Sequence, residues 1–215
     1  MTHSRWLNTL VIFLALFAPA RIAIAQDYSF LVGTYKVEFE PMKIAGNLTG
    51  CVLNFKVLVL DYAYRKGEPV FLSGYIAYTV NSVKKNIRLG MKLGLEELLN
   101  RNAAPQAPFF AYIETPTGTT AKSKYEKFDA ETHGYKLYLY QVDEQSAHVV
   151  RDIVKGKAVT LGFNRIEDGV DVLVPLDLTV ESAYEEDGKL KQKRSAAILE
   201  QFGACFTETT KALKP

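Results

Sequence analysis

Apolar and polar side chains alternate along most segments of this chain, and that alternation constrains the fold more than any other sequence feature. Val170, Val172, Val174, Leu176, Leu178 and Val180 stand two apart, the period at which an extended strand presents one face. Tyr35, Val37 and Phe39 alternate with Lys36, Glu38 and Glu40, and Leu53, Phe55, Val57 and Val59 with Asn54 and Lys56. Ile76, Tyr78 and Val80 share one face of a strand over 70–80. Val159, Leu161 and Phe163 mark another, and residues 87–93, 109–115 and 135–142 are strand-like. Turn-rich segments separate these runs: 64–69, 116–124, 165–169 and Asp187-Gly188. Pro175 stands opposite the apolar face of its strand, which suggests an edge or a bulge.

Helical spacing is rarer. Residues 95–99 read as a short helical turn. Ala147, Val150 and Val154 imply a short helix over 144–155, capped by Asp143 or Ser146 and ended by Gly156. Ala196, Leu199, Phe202 and Phe206 form the stripe of a C-terminal amphipathic helix over about 195–212, with Ser195 as its cap. Too few helices alternate with strands for parallel βαβ winding. The expected fold is mainly β, an antiparallel β-sandwich or flattened barrel with a C-terminal amphipathic α-helix.

The first 25 residues have a different pattern. Arg5 precedes the apolar run Leu10 to Phe17, and Ala23-Ile24-Ala25 makes an A-x-A cleavage site. This predicts a signal peptide over 1–25, cleaved after Ala25, and one β-rich domain over 26–215 in a periplasmic or secreted protein. No segment is apolar for the length a membrane-spanning helix needs, so the chain is not expected to span a membrane. Arg5 and Arg21 are the only Lys, Arg, Asp or Glu residues of the leader, so its removal leaves 24 basic and 24 acidic residues. That balance argues against nucleic acid as a partner. Export also favours pairing of Cys51 with Cys205, the two cysteines of the chain.

Tests for catalytic chemistry come out negative. Leu72-Ser73-Gly74 lacks the nucleophile-elbow pattern, and Gly118–Ser123 lacks the glycine that precedes a phosphate-loop lysine. Asp129, Glu131 and His133 alternate, but side chains two apart on a strand are too splayed for direct metal ligation. His148 and Asp152 are four apart and fit a surface ion pair on a helix. Asp171 and Asp177, on one strand, would be about 20 Å apart. No catalytic residue, metal or cofactor is therefore assigned.

Tyrosine supplies the remaining candidate. Tyr62, Tyr64, Tyr75, Tyr138 and Tyr140 could form a binding surface of flat rings with hydroxyl tips, if the strand face that holds them is uncovered. The functional expectation is a non-catalytic binding or interaction module, its partner an envelope or extracellular protein, a glycan or a lipid. The alternatives are a lipid carrier with a hollow barrel, and a hydrolase whose residues converge only in the fold, with His133 and His148 as the candidates.

Overall fold

Asp187 and Gly188 join two strands with φ values of 52° and 68°, the paired positive φ of a tight hairpin turn. Hairpins dominate the whole architecture. The structure, a computed structural model, describes residues 28–81, 86–100 and 102–211. The predicted leader over 1–25 and its cleavage site lie outside the described residues.

The elements are β1 (Gly33–Ile44), β2 (Asn47–Asp61), α1 (Tyr62–Arg65), β3 (Glu68–Asn81), β4 (Asn86–Glu97), β5 (Phe110–Thr115), β6 (Gly118–Thr119), β7 (Tyr125–Asp129), β8 (Lys136–Gln141), α2 (Glu144–Val154), β9 (Val159–Asn164), β10 (Val172–Leu176), β11 (Val180–Glu186), β12 (Lys189–Arg194) and α3 (Ala197–Lys211). The large sheet runs β1-β2-β3-β4-β8-β7, a second sheet runs β10-β9-β5-β6, and β11-β12 is a separate ribbon. All pairings are antiparallel. The protein is mainly β and sandwich-like, with α3 at its C-terminal end.

Burial follows the alternation. Leu53, Phe55, Val57, Ile76 and Met91 of the large sheet share one core with Ala111, Ile113, Leu161, Phe163, Val174 and Leu176 of the second. α2 adds Val149 and Ile153 to it, and α3 adds Ile198 and Phe202. Burial of such residues supplies the main drive to fold, roughly 1.5–3 kcal/mol for each large side chain.

Two ties fasten this core at opposite ends of β2. Near its start, Cys51 is disulfide-bonded to Cys205 of α3. At its end, the fully buried Asp61 accepts a hydrogen bond from Arg165 Nε at 2.7 Å, and its other oxygen caps α1 through the Tyr64 amide. α2 begins with a reciprocal cap in which Asp143 and Ser146 each accept from the other's backbone amide.

Three local expectations are corrected. Residues 95–97 continue β4 rather than forming a helical turn, because they pair with β3 through Glu97. The run over 170–180 is not one strand. β10 ends at Leu176, and Asp177 turns the chain by accepting from the Thr179 amide and hydroxyl. Asp152 makes no surface pair with His148. It is fully buried, accepts from the Thr117 amide and hydroxyl, and lies 2.9 Å from Lys157 Nζ, in charge contact but outside hydrogen-bond angles. It thereby ties α2 to the β5–β6 turn. His148 faces the carbonyl of Thr117 instead.

Candidate functional site

Strand register places the site. On the face of the large sheet turned away from the core, Glu38, Asn54, Tyr75, Lys92, Leu137 and Phe128 form one row across six strands. Lys36, Lys56, Ser73 and Gly94 form the next, and Leu58, Phe71 and Glu96 another. Side chains on one face of adjacent strands stand within contact distance of each other.

Tyr135 joins these rows into a site. Its ring lies across β4 at Gly94, where a Cβ would stand 2.6 Å from it. The hydroxyl thereby reaches Glu96 at 2.7 Å and Ser73 at 2.7 Å. Ser73 also donates to Glu96 at 2.9 Å, and Lys56 pairs with Glu96 at 3.1 Å. The Lys56 ammonium lies 4.3 Å from the Phe71 ring centre, and Tyr35 meets Phe71 edge to face at 5.1 Å. Lys92 approaches the rings of Tyr75 and Tyr135 at 5.9 and 5.3 Å and donates to Thr132.

These contacts set the ionisation of the cluster. Partial burial raises the pKa of Glu96, but hydrogen bonds from Tyr135, Lys56 and Ser73 outweigh it and hold the carboxyl below its ordinary range. Burial, helped by the Glu96 charge, pushes Tyr135 up to about 12. Near neutral pH the cluster is a carboxylate engaged by three donors. Among the described residues Ser73 is hydrogen-bonded to Glu96 and Tyr135 and to no imidazole, and Glu96 is engaged by Tyr135, Ser73 and Lys56. Beside the cluster, an open cleft of about 370 Å³ is lined by Lys56, Phe71, Glu96, Glu97, Leu98, Ala103 and Pro105.

The five tyrosines expected to share a surface lie in three places. Tyr75 is half-buried on the outer face just described. Tyr62 and Tyr64 are at one end of the sandwich, where Tyr62 is 73% exposed and Tyr64 donates to the Val170 carbonyl at 2.6 Å. Tyr138 and Tyr140 are fully buried in the core, which corrects their placement on a surface. Tyr138 donates to the Pro108 carbonyl just before β5, and Tyr140 to the Ala111 carbonyl within it. The sheet formed by β5 and β9 covers the face they occupy.

Phe71, Ser73, Glu96 and Tyr135 were missed by sequence reasoning. Tyr135 opens a predicted strand, but nothing local reveals that its ring crosses a neighbouring one. Asp129 pairs with Lys136, and among the described residues no three His, Cys, Asp or Glu side chains gather where they could hold a metal ion. Also among the described residues, no helix is long and apolar enough to cross a membrane. Comparison with protein-family models, curated proteins and solved structures finds no match.

Proposed function

We propose that the protein is an exported binding module that takes a polar chain, a glycan above all, on the outer face of its large sheet. The observation that carries this reading is the cluster of Phe71, Tyr75 and Tyr135 among Lys56, Ser73, Glu96 and Lys92, next to an open cleft. Half-buried rings offer apolar area for sugar faces, and the surrounding hydroxyl, ammonium and carboxylate groups offer hydrogen bonds that orient a polar ligand. Export rests on the leader-like sequence of residues 1–25, and the Cys51–Cys205 bond is consistent with an oxidising compartment.

The lipid-carrier alternative is less well supported, since large side chains such as Tyr138, Tyr140, Phe163 and Phe202 fill the space between the layers. The test is chemical-shift mapping of the isotopically labelled protein against soluble oligosaccharides. Binding that perturbs Tyr75, Lys92 and Tyr135, and that falls at least about tenfold in Tyr75→Ala, supports the reading. Oligosaccharides that bind elsewhere, or none that bind up to about 10 mM, overturn it.

A further inference from the structure

The two long borders of the large sheet are finished differently. β1 is interrupted by register shifts between Thr34 and Lys36 and between Met42 and Lys43, contains Pro41, and has β11 packed beside it. In the second sheet, β10 contains Pro175, and the Asp177 amide just beyond it donates to Thr34 of β1. Bulges, prolines and covering elements are the devices that keep strand edges from pairing with other chains. Among the described residues β7 has no bulge, proline or covering strand, and its protection is its short length and the charges of Glu126, Lys127 and Asp129. Its five residues are all exposed, contain no proline, and pair with β8 in unbroken register.

The phase of that pairing shows which backbone groups are free. Gln141 donates to the Lys124 carbonyl, and Ala130 donates to that of Tyr135. Hydrogen-bonded pairs alternate in an antiparallel ladder, so Glu126 and Phe128 bond to β8, while Tyr125, Lys127 and Asp129 turn their amides and carbonyls outward. Among the described residues these outward groups meet no backbone partner. Lys127 folds back into the molecule, donating to the Phe109 carbonyl at 2.9 Å with its ammonium 4.5 Å from the Phe109 ring centre, so its side chain does not lie over its own outward amide and carbonyl.

We infer that the free edge of β7 is a strand-addition site for an extended peptide segment of a partner protein. Unpaired amides and carbonyls at alternate residues are met by another extended backbone, as in β-augmentation. Two residues on the outer face set the side-chain preference. Phe128 is 46% exposed and calls for an apolar neighbour. Glu126, held by Arg88 only at 3.5 Å, calls for a basic one. In the antiparallel sense that the whole sheet follows, the partner reads apolar-x-basic along its chain. For a second copy of β7, antiparallel pairing centred on Lys127 opposes it to itself, whereas pairing centred on Phe128 sets Lys127 opposite Asp129; self-association of the protein through this edge, measured by sedimentation without peptide, would therefore overturn the inference.

The test uses a synthetic peptide of alternating valine and threonine with Ile-Thr-Lys at its centre, added to the full-length protein. Binding should slow amide hydrogen exchange at Tyr125, Lys127 and Asp129. N-methylation of the central threonine, which removes the amide that faces Lys127, should weaken it about tenfold or more. Lys127→Pro should weaken it similarly, since that residue gives no amide to β8, while Lys127→Ala and Tyr75→Ala should retain it. The last variant separates this edge from the proposed glycan face. Absence of protection at those three amides with about 1 mM peptide, or binding indifferent to N-methylation, would overturn the inference.

Discussion

Arg165 reaches the buried carboxylate of Asp61 across 104 residues of chain and fastens the end of the β2–β3 hairpin to the end of β9. Tyr64 reinforces the junction by donating to the Val170 carbonyl. The same carboxylate caps α1, so one buried charge serves a local and a long-range contact together.

Asp61→Ala should therefore lose roughly 3–5 kcal/mol, since it strands a guanidinium that is largely shielded from water. Urea unfolding measures this. Replacing both partners, as in Asp61→Ala with Arg165→Met, should cost less than Asp61→Ala alone. Equal or greater loss in the double variant would show that the pair is not the source of the effect.

The Cys51–Cys205 bond closes a 154-residue separation. The chain-entropy treatment gives about 5 kcal/mol for a loop of that size, and measured values are often lower. Cys205→Ala should lower the unfolding free energy by a large part of that amount. Reductant should lower the melting temperature of the native protein and leave that of the variant unchanged.

Acid should destabilise the fold through its buried or half-buried carboxylates. Burial raises the pKa of Asp152, but Lys157 and the Thr117 hydrogen bonds outweigh it, and the folded value is well below the ordinary range. Asp177 is lowered too, with burial opposed by Thr179 and Arg194. A depressed folded pKa contributes stability that is present above the unfolded pKa of about 3.9 and is lost as pH falls through the folded value. Unfolding followed from pH 7 downward should be flat at first and steepen below about pH 4. Asp152→Asn should shallow that acid limb.

Alkali should act in part through two tyrosines that cross glycines, beside the more deeply buried Tyr78, Tyr138 and Tyr140, which burial also raises. Tyr112 lies over Gly162 on the outer side of the second sheet and donates to Asp171 at 3.0 Å, as Tyr135 lies over Gly94 and donates to Glu96. Burial pushes both up to about 12. A folded pKa above the unfolded value of about 10 contributes stability that is present below pH 10 and is lost as pH rises toward 12. Tyrosinate absorbance should show late-titrating groups, and Tyr112→Phe and Tyr135→Phe should each remove one. A Cβ at Gly162 would stand 2.1 Å from the Tyr112 ring, so Gly162→Ala should cost about 1–3 kcal/mol in unfolding measurements.

Much of the β architecture was legible because alternation is a local property. Side chains two apart on a strand share a face whatever the strand packs against, so Leu53–Val59 and Val159–Phe163 declared their buried faces before any fold was known. The start of α3 was legible from Ser195 and its stripe, and the Asp187-Gly188 turn from its residue types. The break at Asp177 was not, because apolar alternation carries on through residues 176–180 while Asp177 turns the chain through its own hydrogen bonds to Thr179. Nor was the extension of β4 through Glu97, which depends on a partner strand being present to pair with it.

The candidate site lay further beyond local reading. Tyr135 became part of it because Gly94, 41 positions earlier, passes beneath its ring. Tyr138 and Tyr140 left the candidate surface because β5 lies over the face they occupy. By itself the sequence determined the strand faces, the amphipathic helix and the plausibility of a cysteine pair, since each follows from the period or chemistry of nearby residues. Only the tertiary structure decided which sheet face stayed open, where Asp61 found its cation and which edge was left unpaired. Those outcomes depend on register and layering between distant segments, and no local pattern of side chains encodes them.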